Sequence, residues 1–323
     1  MRKHPEMTPE HVENEPKITS SEVLHLNRHN EKGDKAKGED PEALSATGIA
    51  NAFKRGRERD DVSENAIAFG SEVGPKGNER ALHTALMDLA GALDIEGVTG
   101  EEPLQELQQK INEHDGRTIG SRGTIDKRLG FTLNDQEYRK GVLDAMKEGK
   151  MLQYIIQESD AMVLRKNDLE DYSYTRSSGK VAEVVKKYVD ASARWDELAN
   201  DPEKDYGKVL ERFIGSHAGI VDTFLLRLIE KLRGPEERDR LVKALDGGVG
   251  FKPGEGFEIH IDTLKGQNAP RIRVQFERKG KDGESVAYSL DEEVPVEVLD
   301  ELIADKNSLD EKIEASTPVE SGT

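Results

Sequence analysis

Two histidines stand where short apolar runs end. The first lies in EVLHLNRHNEKGD (residues 22–34), where Val23 to Leu26 lead into Arg28-His29. The second lies in KVLERFIGSHAG (208–219), where the run leads into Ser216-His217. An arginine beside a histidine at a strand end is, taken singly, also what the start of any polar loop looks like. Two strand-to-loop histidines in one α/β chain say more. Open α/β sheets bind ligands at the carboxyl ends of their strands, where residues distant in sequence become neighbours. The two imidazoles and the guanidinium can therefore meet in one small basic pocket, of the kind that takes a phosphorylated ligand.

The surrounding pattern supplies such a scaffold. A strand at 22–27 precedes a helix at about 45–59, started by Ser45 or Thr47 as N-cap. NAIAFG (65–70) reads as a second buried strand, and a helix follows at about 77–93, with Leu82, Leu86, Leu89 and Leu93 on one stripe. An amphipathic helix is expected at 101–114, loop with a short strand at 115–133, and long helices at about 134–158 and 178–199. The strand within 208–219 runs into IVDTFLLRLIEKL (220–232), a helix apolar on a wide face and so largely buried. FEIHID (257–262) and RIRVQFE (271–277) alternate at period two and form an antiparallel pair. The fold class expected is a three-layer α/β/α sandwich: a mostly parallel sheet, an antiparallel C-terminal hairpin and a helical insertion. Residues 1–18 and 306–323 read as a loose arm and tail around a single domain, 19–305.

Composition narrows the function classes. The 323 residues carry 65 acidic against 47 basic side chains, a formal net charge of −18, so nucleic acid and anionic membrane are not expected partners. There is no cysteine, which excludes disulfides, thiol catalysis and Cys-ligated zinc, and fits a reducing cytoplasm. The first residues have no apolar core, so a secretory signal is not expected, and no apolar run approaches the roughly 18–20 residues that span a membrane.

Four segments, in order, carry a family resemblance. LNRHNE resembles the Arg-His-Gly signature of the histidine phosphatase superfamily, which includes cofactor-dependent phosphoglycerate mutases and many phosphomonoesterases. LSATGIANAFKRG (44–56) resembles its Leu-Ser/Thr-x-x-Gly-x-x-x-Ala-x-x-x-Gly segment through Leu44, Ser45, Gly48, Ala52 and Gly56. ERALHTA (79–85) resembles its Arg-Ala-x-x-Thr-Ala helix start through Arg80, Ala81, Thr84 and Ala85. IGSHAGIV (214–221) resembles its Ser-His-Gly-Gly segment.

The resemblance implies a cytoplasmic phosphomonoesterase that needs no metal and no cofactor. It implies His29 as nucleophile, Arg28 and Arg80 as phosphoryl clamps, and a protonated His217 as a further donor. The segment resembling Glu-x-x-x-Gly makes Asp126, four residues before Gly130, the candidate proton donor, with Glu31, Glu158 and Asp222 as alternatives. Asn30, Ser216 and Lys35 are candidate substrate contacts; Lys32 and Lys37 share the charged loop with Lys35.

Asn30 stands where the family has Gly, a position whose backbone approaches the phosphate. An insertion at about 94–176 is expected to cover the pocket and set the substrate, a small phosphorylated molecule or a phosphoprotein. A phosphoglycerate mutase, a phosphohistidine protein phosphatase and a non-catalytic phosphate-binding module are the rival readings. Each residue also has a plainer reading: His217 as a satisfied core histidine, Arg80 as a solvated helix residue, Asp222 as a first-turn partner of the helix dipole.

Overall fold

The computed structural model describes residues 16–59, 62–63, 65–71, 79–114, 123–280, 282 and 284–316. Its strands are β1 (Ile18–Arg28), β2 (Ile67–Gly70), β3 (Gly123–Ile125), β4 (Val209–Ser216), β5 (Gly256–Leu264), β6 (Arg271–Lys279) and β7 (Val286–Glu293). They form one sheet in the order β3-β2-β4-β1-β5-β6-β7. The first four are mutually parallel, and β5, β6 and β7 join antiparallel at the β1 edge. The expected α/β sandwich is therefore present, with a third antiparallel strand, β7, beyond the hairpin read from the sequence.

The helices are α1 (Ala46–Arg57), α2 (Arg80–Ala92), α3 (Leu104–Asn112), α4 (Gln136–Lys147), α5 (Met151–Lys166), α6 (Tyr174–Ala199), α7 (Val221–Arg233), α8 (Pro235–Ala244) and α9 (Val296–Ser316). One sheet face, with Leu24, Leu26, Ile214, Phe257 and Ile259, packs on residues of α6 and α7 such as Val185, Phe224 and Leu228. The other face, with Ala68 and Phe213, packs on Leu82, Leu86 and Leu89 of α2. β1 buries side chains on both faces, as a central strand does. Helix α2 lies unusually close to the sheet. A Cβ on Gly215 would run into the Ala81 carbonyl, and one on Gly70 into the Leu82 backbone. These two glycines let the first turn of α2, and Arg80 with it, sit at the carboxyl ends of β2 and β4.

Of the two N-cap candidates the structure selects the first, and other expectations need correction. Ser45 is the N-cap of α1, its hydroxyl accepting from Gly48 N at 3.0 Å. The pattern at 134–158 is two helices, broken at Gly149, whose φ of +72° ends the first. Residues 306–316, read as loose tail, continue α9: Leu309 and Ile313 pack against Val163, Asp310 pairs with Arg176 at 2.9 Å, and Lys306 with Glu183 at 3.0 Å. Ile18, assigned to the arm, opens β1. Residues 1–15, 72–78, 115–122 and 317–323, on which parts of the arm, loop and tail expectations fall, lie outside the described residues. The segment 94–176 contains α3, β3, α4 and α5.

Candidate active site

β1 and β4 are adjacent and parallel, with Arg28 opposite Ser216. The next residue of each chain segment is a histidine, so register alone makes His29 and His217 neighbours. His29 N–H donates to the Ser216 carbonyl at 2.8 Å. The two rings lie 5.1 Å apart between centroids, tilted by 65°, and the residues are only 9% and 3% exposed.

His29 has a defined tautomer. Its Nδ1 is 2.7 Å from the Asn30 carbonyl, which can only accept, so Nδ1 carries the proton and Nε2 keeps the lone pair. Burial pushes the imidazole pKa down to about 4; the Asn30 carbonyl opposes the shift, and the positive charges of Arg80, Arg28 and Lys32 add to it. His217 is pushed well below the ordinary histidine range by burial, then by His29, Arg80 and Arg28. These surroundings favour the neutral imidazole, so the donor role implied for His217 requires a negative charge beside it. Its Nε2 is buried without a hydrogen-bond partner among the described residues.

Arg28 and Arg80 both act on these imidazoles. Arg28 donates from Nη1 to the Phe251 carbonyl and from its backbone N–H to the Glu255 carbonyl at 2.9 Å. Burial lowers its pKa, while Asp222, Glu255 and Glu31 favour its charge. Arg80 opens α2 and is anchored through Nη1 to the Pro41 carbonyl at 2.8 Å. The structure thus gathers Arg28, His29, Arg80 and His217 into one electrostatic neighbourhood.

Asn30 does not need a left-handed backbone; it is absent from the described non-glycine residues with positive φ. Its N–H donates to Thr84 Oγ1 at 3.0 Å, one turn beyond Arg80. Its carboxamide oxygen lies beside Gly254, where any Cβ would strike both Asn30 Oδ1 and Arg55 Nη1. The missing side chain at Gly254, across the molecule in sequence, makes room for the larger residue at position 30. Arg55 in turn donates to the Gly254 carbonyl at 2.8 Å and to Asp88 Oδ2 at 2.5 Å.

Other expected residues are not gathered in the same way. Asp126 caps a short turn and binds Arg128 twice, Oδ1 to Nε at 3.0 Å and Oδ2 to Nη2 at 2.7 Å. Burial raises its pKa, but these bonds and the Arg128 charge outweigh that and hold the carboxyl below its usual range. A carboxylate kept ionised in this way is a poor proton donor, which corrects its assignment. Ser216 is fully buried and donates its hydroxyl to the Leu129 carbonyl at 2.7 Å, so it supports the loop rather than a ligand. Lys35 is exposed on a short turn after the loop; Lys32 is the lysine whose charge bears on His29. Of the alternative acids, Glu158 is exposed on α5, Glu31 lies beside Arg28, and Asp222 is buried and bonded to two backbone N–H groups.

Two contributors escaped the sequence reading. The loop 246–256 supplies the carbonyls that hold Arg28 and Arg55, and its five glycines in eleven residues were the available signal. Asp246, Gly247, Gly248, Gly250 and Gly254 all have positive φ there. Phe131 stands edge-on to His217 at 5.5 Å and to Tyr172 at 6.1 Å, an aromatic wall contributed by the segment 94–176. Among the described residues no three His, Asp or Glu side chains gather closely enough to hold a metal ion.

No protein-family model and no curated protein matches the chain. Solved structures are similar to it. They include a phosphoglycerate mutase from Bacillus anthracis, 15% identical, with 76% of this chain and 92% of that chain covered and a TM-score of 0.39. A mycobacterial glucosyl-3-phosphoglycerate phosphatase is 13% identical, with 79% and 96% covered and a TM-score of 0.34. A phytase from Klebsiella sp. ASR1 is 12% identical, with 93% and 96% covered and a TM-score of 0.29.

Proposed function

We propose that the chain is a phosphoryl-transfer enzyme that works through a phosphohistidine at His29, and more specifically that it hydrolyses small phosphomonoesters. The observation that carries this reading is the state of His29. Its Nδ1 proton is committed to the Asn30 carbonyl, and its depressed pKa keeps Nε2 unprotonated at neutral pH. In the first step the Nε2 lone pair forms a bond to phosphorus as the bond to the leaving oxygen breaks. In the second, water attacks the phosphohistidine, releases inorganic phosphate and returns the lone pair to Nε2. Arg28 and Arg80 bind the phosphoryl oxygens throughout. A bound dianion offsets their charge, and in that state His217 takes up a proton and donates from its unpartnered Nε2. Each preorganised donor of this kind is typically worth about 2.7–4 kcal/mol of barrier.

The leaving oxygen needs a proton when the alcohol is a poor leaving group. The engagement of Asp126 by Arg128 favours a second reading, a module that binds phosphorylated ligands without turning them over. Hydrolysis of p-nitrophenyl phosphate without added metal distinguishes the two, because its phenol departs without protonation. The expected result is turnover by the wild type and none by His29→Ala. A wild type that binds phosphate or vanadate yet turns over no phosphomonoester would establish the binding module instead.

A further inference from the structure

We propose that Asp222 is a positioning residue that ties the loop carrying His217 to the loop holding Arg28, so that the two halves of the anion site keep one spacing. This rests on the phosphoryl-transfer reading of the site. Asp222 lies in the first turn of α7 and is fully buried. Its carboxylate spans two loops: Oδ2 accepts from Gly219 N at 2.5 Å and Oδ1 from Phe251 N at 2.6 Å. Gly219 is two residues beyond His217, in the tight turn that aims that imidazole, and has a φ of +86°. Phe251 presents its carbonyl to Arg28 Nη1. One residue, Phe251, therefore separates the Asp222 carboxylate from Arg28 on one side, and one short turn separates it from His217 on the other.

The residue type suits the task. Two N–H groups aimed at one buried side chain need two acceptors, and an ionised carboxylate offers acceptors only. Burial raises the Asp222 pKa, while the Gly219 and Phe251 N–H groups and Arg28 favour its ionised form, whose charge in turn favours the Arg28 guanidinium. An asparagine of the same shape would turn a donor toward one of the two N–H groups and leave it unsatisfied. The loop side is equally close-fitted: a Cβ on Gly250 would lie 3.1 Å from Asp222 Oδ1. A first-turn acidic residue that merely steadied the helix dipole would require neither the buried bridge nor contact with a second loop.

The test is a double-mutant cycle read by calorimetry with inorganic phosphate and by kcat/KM for p-nitrophenyl phosphate. Asp222→Asn should weaken phosphate binding and kcat/KM by about ten- to a hundred-fold, the scale of an ångström-sized misplacement of a binding group. In an Arg28→Lys background, which lacks the guanidinium that Phe251 holds, only the His217 side of the bridge is left to lose, so the same substitution should cost at least about three-fold less in both readouts. Equal losses in the two backgrounds, or no loss in the first, would overturn the inference. Asp222→Glu keeps the charge and both acceptors but displaces them by a methylene and should reproduce the pattern, which keeps the proposal falsifiable if Asp222→Asn does not fold. A wild type that binds no phosphate would remove the functional reading itself. Phosphate binding that is indifferent to both substitutions would remove this inference alone.

Discussion

Acidification probes His29 without any ligand. The unfolded imidazole titrates near 6.5, whereas in the folded chain burial, with Arg80, Arg28 and Lys32, brings it to about 4. Between these values the unfolded state binds the proton and the folded state does not, so stability falls as pH falls. The contribution is intact above pH 6.5 and is lost progressively toward pH 4. The full shift is worth about 3 kcal/mol, and the part lost between pH 7.5 and pH 5 is about 2 kcal/mol. His217 adds in the same direction, and Glu22, whose pKa burial raises to about 7, acts in the opposite one. Glu22 is common to wild type and a His29→Gln variant; His217 is shared except for the part of its shift that His29 causes, which acts in the same direction, so the difference between the two proteins reads His29 together with its coupling to His217. Urea unfolding at pH 7.5 and pH 5 is the assay. His29→Gln should lose about 2 kcal/mol less than the wild type over that interval. If the two proteins lose stability in parallel, the imidazole is not held neutral by its surroundings, and a nucleophile primed at neutral pH loses its basis.

Asp126→Asn should leave kcat on an alkyl phosphate within about three-fold of wild type, because Arg128 already occupies the carboxylate; loss of a working general acid would cost about 10²–10⁴-fold. Glu22, 1% exposed and with neither carboxylate oxygen partnered among the described residues, favours folding while protonated, an advantage present below pH 4.5 and lost as pH rises through 7. Glu22→Gln should therefore gain about 3 kcal/mol relative to wild type on going from pH 4.5 to pH 8, read from urea midpoints at the two pH values.

The positions of Arg28, His29 and His217 were legible because each depends on one strand end, and strand ends are marked by a change from apolar to polar residues. Their convergence follows from a single register pair, Arg28 with Ser216. Arg80 was legible through the resemblance of ERALHTA alone; the apolar stripe of α2 placed the helix start at about 77, three residues too early. Side chains committed to close neighbours were not legible. Asp126 matches the expected spacing to Gly130, but Arg128, two residues on, takes its carboxylate, and no pattern of spacing records which partner wins. The C-terminal stripe of Leu309 and Ile313 was hidden in the same way, by the charged residues around it. Those charges are themselves partners, Asp310 for Arg176 and Lys306 for Glu183.

The least legible part of the site is its backbone. Arg28 is held by the carbonyls of Phe251 and Glu255, His29 by those of Asn30 and Ser216, and Arg55 by that of Gly254. Any residue supplies a carbonyl, so these contacts leave no trace in residue type except where the chain must bend to make them, as the glycines of 246–256 do. Asn30 shows the consequence. Judged alone, it breaks the Arg-His-Gly pattern and suggests an impaired pocket. The Asn30 carbonyl still receives the His29 proton, and the extra carboxamide fits because Gly254 has no side chain. The group that orients His29 belongs to the main chain, which any residue at position 30 supplies, and the absent side chain at Gly254 leaves the space that this carboxamide fills.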